Sequence, residues 1–481
     1  MSPNPDHHSE PMDTDSAAKR AIFLAAILAA FLTPFMGSAS NVAMPSLGRE
    51  FAMDAVLLGW VPTSYLLAAA MFLVPFGRIA DIRGRKRVFT YGITVFTVAA
   101  LLSALAPSAQ ILIGARILQG LGSAMIFGTG LAMLTSAFPR SQRGRVLGFN
   151  VAAVYTGLSI GPFVGGYLTQ NLGWRSVFLL VVPMGLIALG FVLFRVRGEW
   201  AEARGEGFDL GGSILYALSL LVLMYGFSLL PDLLGVGLIL VGLLGLGMFV
   251  YWEMRARFPV LNVDLFARNR VFAFSSLAAL INYGATSAVT FLLSLYLQYI
   301  KALSPQQAGL VLIAQPVVMA ICSPVTGRLS DRIEPRLVAS TGMALTTIGL
   351  SSLIFLGAAT PVWAIIACLV LLGFGFALFS SPNINAIMSS VERRYYGVAS
   401  GTSGTMRLVG QMLSMGIALL LFSLYIGRVE ITPQAYPAFL SSIKTAFDVF
   451  AVLCMGGIFA SLARGRIRED NDKEPRQPAY T

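Results

Sequence analysis

The chain has 481 residues, of which 56% are apolar and only 12% charged, and its mean hydropathy is +0.75. Soluble domains carry about 25% charged residues, so a string of soluble domains is excluded, and the high hydrophobicity excludes disorder. The net charge of +11 would suggest nucleic acid in a soluble protein; here it reads as Lys and Arg gathered in the inner loops of a membrane protein, with no nucleic-acid partner.

Residues 1–20 form a polar tail that contains His7 and His8 and ends on Lys19 and Arg20. A cleaved signal would start basic and carry a short apolar core, so the tail reads as cytoplasmic. Apolar runs follow at 21–44, 55–79, 88–106, 109–135, 146–169, 174–195, 209–230, 233–253, 271–299, 305–326, 336–358, 361–382, 398–425 and 441–463, fourteen in all. A hydrocarbon core ~30 Å thick needs ~20 apolar residues per helix, so each run is long enough to cross. A β-barrel would instead show ~10-residue alternating segments. A second tail, 464–481, closes the chain.

Charge tests the count. With both termini inside, the outer connections hold only Arg49, Arg175, Lys301, Arg428 and Lys444. Arg116 and Arg407 sit within apolar runs, and the other 27 of the 34 basic residues fall in the tails and inner loops. Basic residues concentrate on the inner side, which predicts an N-in, C-in topology. Cys322, Cys368 and Cys454 lie in apolar runs without ligand spacing and read as small buried hydrophobes.

Residues 77–87, GRIADIRGRKR, are echoed 250 positions later by GRLSDRIEPR at 327–336, each between two apolar runs. The expected fold is therefore an all-α integral membrane protein of two six-helix bundles, 21–195 and 271–463, with an inserted helix pair at 209–253. Parallel repeats of this kind place a site at their interface near the midplane.

In the first loop Gly77 and Gly84 permit a tight turn. Asp81 is expected near the N-terminal end of the third helix, where helix-end charge favours an acid, or opposite basic loop groups. Arg78, Arg83, Arg85, Lys86 and Arg87 hold the loop to the inner face. In the fifth run GLSIGPFVGG (157–166) strips one face of side chains at Gly157, Gly161, Gly165 and Gly166, allowing close helix approach, while Pro162 removes a backbone donor and bends the helix. Arg116 lies in the fourth run with Gln119 one turn on. A charge at mid-bilayer costs ~2.5–3.5 kcal/mol on insertion scales, so Arg116 is expected to face the bundle interior, as a coupling residue or as a hydrogen-bonding hub.

Asp209 and Asp331 sit at helix ends and read as structural. Asp448 lies two turns into the last run, four residues after Lys444; the two share a helix face, as an ion pair near the outer surface or as a proton carrier. Asn41, Tyr65, Asn150, Tyr155, Asn282, Tyr283, Gln315, Asn383 and Asn385 fall within or at the ends of runs and are the candidate substrate path, because apolar pockets with few polar groups suit amphiphilic ligands. No Gly-Lys dipeptide occurs, so there is no P-loop; no HExxH is present and both histidines lie in the tail. No enzyme and no bound cofactor or metal is expected.

These motifs resemble the major facilitator superfamily: Gly77, Asp81, Gly84, Arg85 and Lys86 fit its G-x-x-x-D-x-x-G-R-[KR] loop, Gly157 to Gly166 its G-x-x-x-G-P-x-x-G-G antiporter motif, and Arg116, Gln119 and Gly120 its Arg-x-x-Gln-Gly motif. LGWVPTSYLLAAA (58–70), GWRSVFLLVVPMG (173–185), NVAMP (41–45), SPQQAGL (304–310), SPNINAI (381–387) and GVASG (397–401) are similar to its fourteen-helix drug:H⁺ antiporter branch. The resemblance implies secondary active export of small amphiphilic or drug-like molecules by alternating access in the cell (inner or plasma) membrane, driven by a proton gradient. It implies that Asp81 and its basic neighbours latch the inner gate, that the 157–166 glycines form an inter-half seam, and that Arg116 tunes coupling. The partners it implies are a small-molecule substrate, protons and the lipid bilayer; accessory export subunits are left open. Members of the branch often carry an acid five residues before the Asn of NVA-x-P, where this chain has Met36. Two alternatives therefore stand: a metabolite or lipid carrier not driven by protons, and a non-transporting membrane sensor, against which the intact motifs argue.

Overall fold

The computed structural model describes residues 16–196, 198–201, 203–261, 263–391 and 396–465. His7, His8 and most of both tails lie outside the described residues, as does the side chain of Asp331. The first eight helices are α1 (Ser16–Glu50), α2 (Ala55–Arg83), α3 (Arg85–Ala104), α4 (Ala109–Ala137), α5 (Arg140–Leu172), α6 (Arg175–Arg195), α7 (Leu210–Leu229) and α8 (Leu233–Glu253). A short α9 (Asp264–Arg268) precedes α10 (Arg270–Thr286), α11 (Val289–Tyr299), α12 (Pro305–Leu312), α13 (Ala314–Arg332), α14 (Pro335–Leu353), α15 (Val362–Ser389), α16 (Tyr396–Tyr425) and α17 (Tyr436–Ala463).

Among the described residues thirteen helical segments are long and apolar enough to cross a membrane. The 19-residue α14 is not among them. Arg336 and hydroxyls such as Ser340, Thr346 and Thr347 lower its hydropathy, and these hydroxyls are bonded inside the protein: Ser340 Oγ donates to Ser461 Oγ of α17 at 2.9 Å and Thr346 Oγ1 to Gly342 O at 3.0 Å. α14 packs between α15 and α17.

Two apolar runs expected as single helices are each broken. The run at 271–299 divides into α10 and α11, and the amide freed at the break, Ala288 N, donates to Ser414 Oγ at 2.9 Å. The run at 305–326 divides at Ile313 into α12 and α13; Pro316 has no N–H to offer Leu312 O, which ends the first piece. The two closest pairs of runs are separated by capping residues: Ser108 accepts from Ile111 N ahead of α4, and Asp232 is the N-cap of α8.

Helices α1 to α6 form one bundle, in which α1 packs on α5 and α6, α2 on α4, and α3 on α4 and α6. Helices α10 to α17 form the other, in which α14 and α13 pack on α15, α10 on α16, and α14 and α10 on α17. The pair α7–α8 attaches through α7 to α2 and α16, one helix from each bundle. α8 leaves large apolar side chains outside (Leu233, Leu244, Met248), as a lipid-facing helix does. Asp209 caps α7 by accepting from Gly212 N at 2.9 Å, and Trp252 Nε1 donates to its other oxygen at 2.8 Å.

Candidate functional site

The 77–87 loop defines one end of the molecule, here the loop end. Asp81 lies in the last turns of α2 rather than at the start of α3, and its Oδ1 accepts from Arg85 Nε at 2.9 Å. Arg85 Nη1 also donates to Ser136 Oγ of α4 at 2.9 Å. The acid at the N-terminus of α3 is Glu199, whose carboxylate accepts from Lys86 N at 2.8 Å and Arg87 N at 3.2 Å. Gly84 has φ +118°, and a Cβ there would overlap the Glu199 carboxyl, so only glycine serves. The segment between α6 and α7 is sewn to the loop by Lys86 Nζ to Val196 O at 2.6 Å, Arg85 N to Trp200 O at 2.8 Å, Ala203 N to Asp81 O at 2.9 Å, and Arg78 to Glu206 at 2.6 Å. Sequence reasoning assigned this connector no role, although three acids (Glu199, Glu202, Glu206) in a segment expected on the same side as a basic loop were a signal.

The α5 glycines work on two neighbours. A Cβ at Gly157 would meet Phe31 O at 2.5 Å, one at Gly161 would overlap Ser38 Oγ, and one at Gly165 would meet Ala39 Cα at 2.7 Å. All three therefore seat α1, in the same bundle. A Cβ at Gly166 would instead overlap Pro305 O of α12, and one at Gly309 of α12 would overlap Pro162 O. That pair is a backbone-to-backbone approach between the bundles. Four hydrogen bonds join the bundles at the same end, opposite the loop: Ser294 Oγ to Asn41 O (2.8 Å), Gln298 Nε2 to Val42 O (3.0 Å), Gln306 N to Gln170 Oε1 (3.3 Å) and Ala55 N to Val429 O (3.0 Å). A small cleft of about 430 Å³ lined by Pro45, Arg49, Gln298, Tyr299, Pro305 and Gln307 sits on this far side.

Arg116 is 1% exposed. Its Nη1 donates to Gln119 Oε1 at 2.5 Å and its Nε to Val61 O at 3.4 Å. The guanidinium carbon lies 4.5 Å from the Tyr65 ring centroid and 5.8 Å from that of Phe178, while Tyr65 OH donates to Ser123 Oγ at 2.8 Å. Gly120 lets α2 come close, since a Cβ there would overlap Tyr65 O.

The expected path residues separate. Tyr65, Tyr155 and Tyr283 lie at mid-length of α2, of α5 and of the α10–α11 run, and Tyr283 packs edge-on against Phe376 at 5.5 Å. Asn41 and Asn150 are partly buried, Gln315 is buried at the start of α13, and Asn282 is fully buried with both amide atoms unpartnered. Asn383 is tied up structurally: its Nδ2 donates to Ser275 O at 3.0 Å and its Oδ1 accepts from Arg464 Nη1 at 3.0 Å. Burial pulls the Arg464 guanidinium down to about 10, with Glu334 opposing, so it stays charged at neutral pH. Asn385 is exposed and donates to Ser330 Oγ at 2.8 Å. Asp448 is exposed on α17, and among the described residues it forms no ion pair with Lys444; shared helix face alone did not bring the two ends together. Met36 is fully buried in α1, and of the cysteines only Cys454 is buried.

One residue of this region was missed. Arg407 of α16 holds its guanidinium 4.9 Å from the ring of Phe127 on α4, across the two bundles, and its charge reaches the hydroxyls of both Tyr65 and Tyr283. A lone arginine midway through an apolar run was the available signal.

Two packed bundles of membrane-length helices define an all-helical multi-pass membrane protein. The chain matches the Major Facilitator Superfamily over residues 26–254 and 275–480, and it belongs to that superfamily. It is 27% identical over 450 residues to the riboflavin transporter RibZ of Clostridioides difficile, covering 92% of this chain and 97% of that protein. It is 34% identical over 422 residues to the cephamycin export protein CmcT of Amycolatopsis lactamdurans, covering 84% and 85%. Other relatives are named as multidrug resistance, antibiotic export and resistance proteins. The fold is similar to a bacterial homolog of the human lysosomal transporter Spinster, with a TM-score of 0.65 and 15% identity over 96% of this chain and 99% of that one.

Proposed function

We propose that the protein is a secondary active exporter of small amphiphilic or drug-like molecules in the cell membrane, working by alternating access as a proton antiporter. In this reading the chain crosses the membrane fourteen times with both termini inside, α14 being the crossing whose hydroxyls are satisfied internally. The observation that carries it is the α5–α12 approach at Gly166 and Gly309, where export-motif backbone meets the opposite bundle with no side chain between. An interface that thin separates without unthreading side chains, as rocking bundles require. The names of the export and resistance relatives support the outward direction. The proton gradient is the energy source and no cofactor takes part. The loop around Asp81 and the α6–α7 connector then form the inner latch, and Arg116 tunes coupling.

A second reading, a carrier not driven by protons, is favoured by Met36, which fills an acid's usual place in helix 1 with a fully buried apolar side chain. Inverted vesicles separate the two. Adding a transported compound should dissipate a preformed pH gradient. Transport that persists after the gradient is collapsed, with no proton release, rejects the antiport and keeps the carrier.

A further inference from the structure

Arg407 is the feature that the transport motifs leave unexplained. It lies about three turns, ~16 Å at 1.5 Å per residue, into α16, and its side chain is partly exposed. A guanidinium exposed to hydrocarbon at that depth is costly, and contact with Phe127 of the first bundle places this one between the bundles. It forms no salt bridge among the described residues; its contact is the face of Phe127 across the seam, with the Tyr65 and Tyr283 hydroxyls within electrostatic reach. Arg116 adds a second guanidinium beyond the Tyr65 ring, bonded among the described residues to the neutral groups Gln119 and Val61 O. The other described carboxylates lie at helix ends or in connectors, such as Glu50 and Asp54 at the far end and Asp81, Glu199 and Glu253 at the loop end, and Asp448 sits midway along α17, which packs on α14, α10 and α16 of its own bundle.

The middle of the seam thus carries the Arg407 charge, with the buried Arg116 behind the Tyr65 ring in the first bundle, aromatic faces and no described counter-charge. In a low-dielectric setting that field is strong. It repels organic cations and attracts an acid, and a guanidinium accepts a carboxylate or sulfonate through two parallel hydrogen bonds. Tyr65, Phe127, Tyr283 and Phe376 supply ring faces and edges for an aromatic body. Resting on the exporter reading above, we propose that Arg407 anchors the acidic group of the substrate, and that the exported class is aromatic organic anions rather than cations. In the empty protein the Phe127 ring holds the guanidinium as a weak cation–π partner that an arriving acid displaces.

Two dyes of one ring system and opposite charge test this: carboxyfluorescein and rhodamine 6G, titrated by fluorescence anisotropy against the full-length protein in phosphatidylcholine nanodiscs, with empty discs subtracted. Carboxyfluorescein should bind at least about tenfold more tightly, as a charge-assisted pair implies. Arg407→Gln should erase that preference by weakening only the anionic dye, and Arg407→Lys should restore part of it. The proposal is overturned if rhodamine 6G binds as tightly as or more tightly than carboxyfluorescein, if carboxyfluorescein does not bind, or if Arg407→Gln weakens both dyes equally. The wild-type comparison decides without any variant, should Arg407→Gln fail to fold. Intact preference with no movement of either dye into inverted vesicles would sink the exporter reading and leave the anchor; movement without the preference would do the reverse.

Discussion

Glu199 and Asp81 show how much a single carboxylate's place matters. Asp81 was legible from its spacing to Gly77, Gly84 and Arg85, because the loop is local in sequence. Glu199 was not, because it reaches Lys86 N and Arg87 N from more than a hundred residues away. The same limit hid Arg407, whose cost in an apolar run was visible but whose partner Phe127 is set by the packing of two bundles. The Asp81–Arg85 pair is a partly exposed i,i+4 contact, and such pairs contribute ~0–1 kcal/mol. Asp81→Asn should therefore leave abundance and thermal unfolding near wild type while lowering transport severalfold, because the loss falls on the latch and not on the fold. Equal transport at equal protein level, measured in the same vesicles, would remove the conformational role. Glu199→Gln differs: it weakens the charge at the start of α3, where a cap contributes ~0.5–2 kcal/mol, so a drop in unfolding temperature should accompany any loss of transport.

Helices and their close approaches were readable where the pattern is local. The glycine run of α5 announced a side-chain-free face, and the structure divides that face between α1 and α12. Which glycine meets which helix was not in the pattern, since it depends on the rotation of α5 in its bundle. The breaks at Ser287 and Ile313 were hidden inside continuous apolar runs; one is fixed by Ser414 on a different helix and the other by Pro316, a proline whose effect was open to a closer reading. Gly161 gives the sharpest test. A valine there must displace Ser38 Oγ and crowd Phe35 O at 3.0 Å; overpacking of this kind costs ~1–3 kcal/mol. Gly161→Val should lower the unfolding temperature and the yield of folded protein. Gly161→Ala should do so mildly, and Ser38→Gly combined with it should recover most of the loss, because the space is then vacated. A double variant no more stable than Gly161→Ala would mean the α1–α5 contact is not what the glycine serves.

At the scale of the molecule, the echo of 77–87 in 327–336 indicated two bundles, and the matched ends of α2 and α13 sit at corresponding loops. The state of the seam was beyond the sequence, because one chain must sustain at least two arrangements of the same halves. Here the end opposite the loop is joined by Gln306 N to Gln170 Oε1 and by the Gly166 approach to Pro305 O. Alternating access requires those contacts to part in every cycle. Replacing Cys322, Cys368 and Cys454 with serine or alanine, and then introducing Gln170→Cys with Gln306→Cys, places two thiols across that closed end. Bridging them with a short disulfide-forming methanethiosulfonate linker should cut transport by about tenfold or more, and reduction should restore it. The inhibition must track the fraction cross-linked, since a bundle either swings or is held. Full transport by quantitatively bridged protein would show that these two helices never separate, and the rocking of one bundle against the other would have to be abandoned for motion within a bundle.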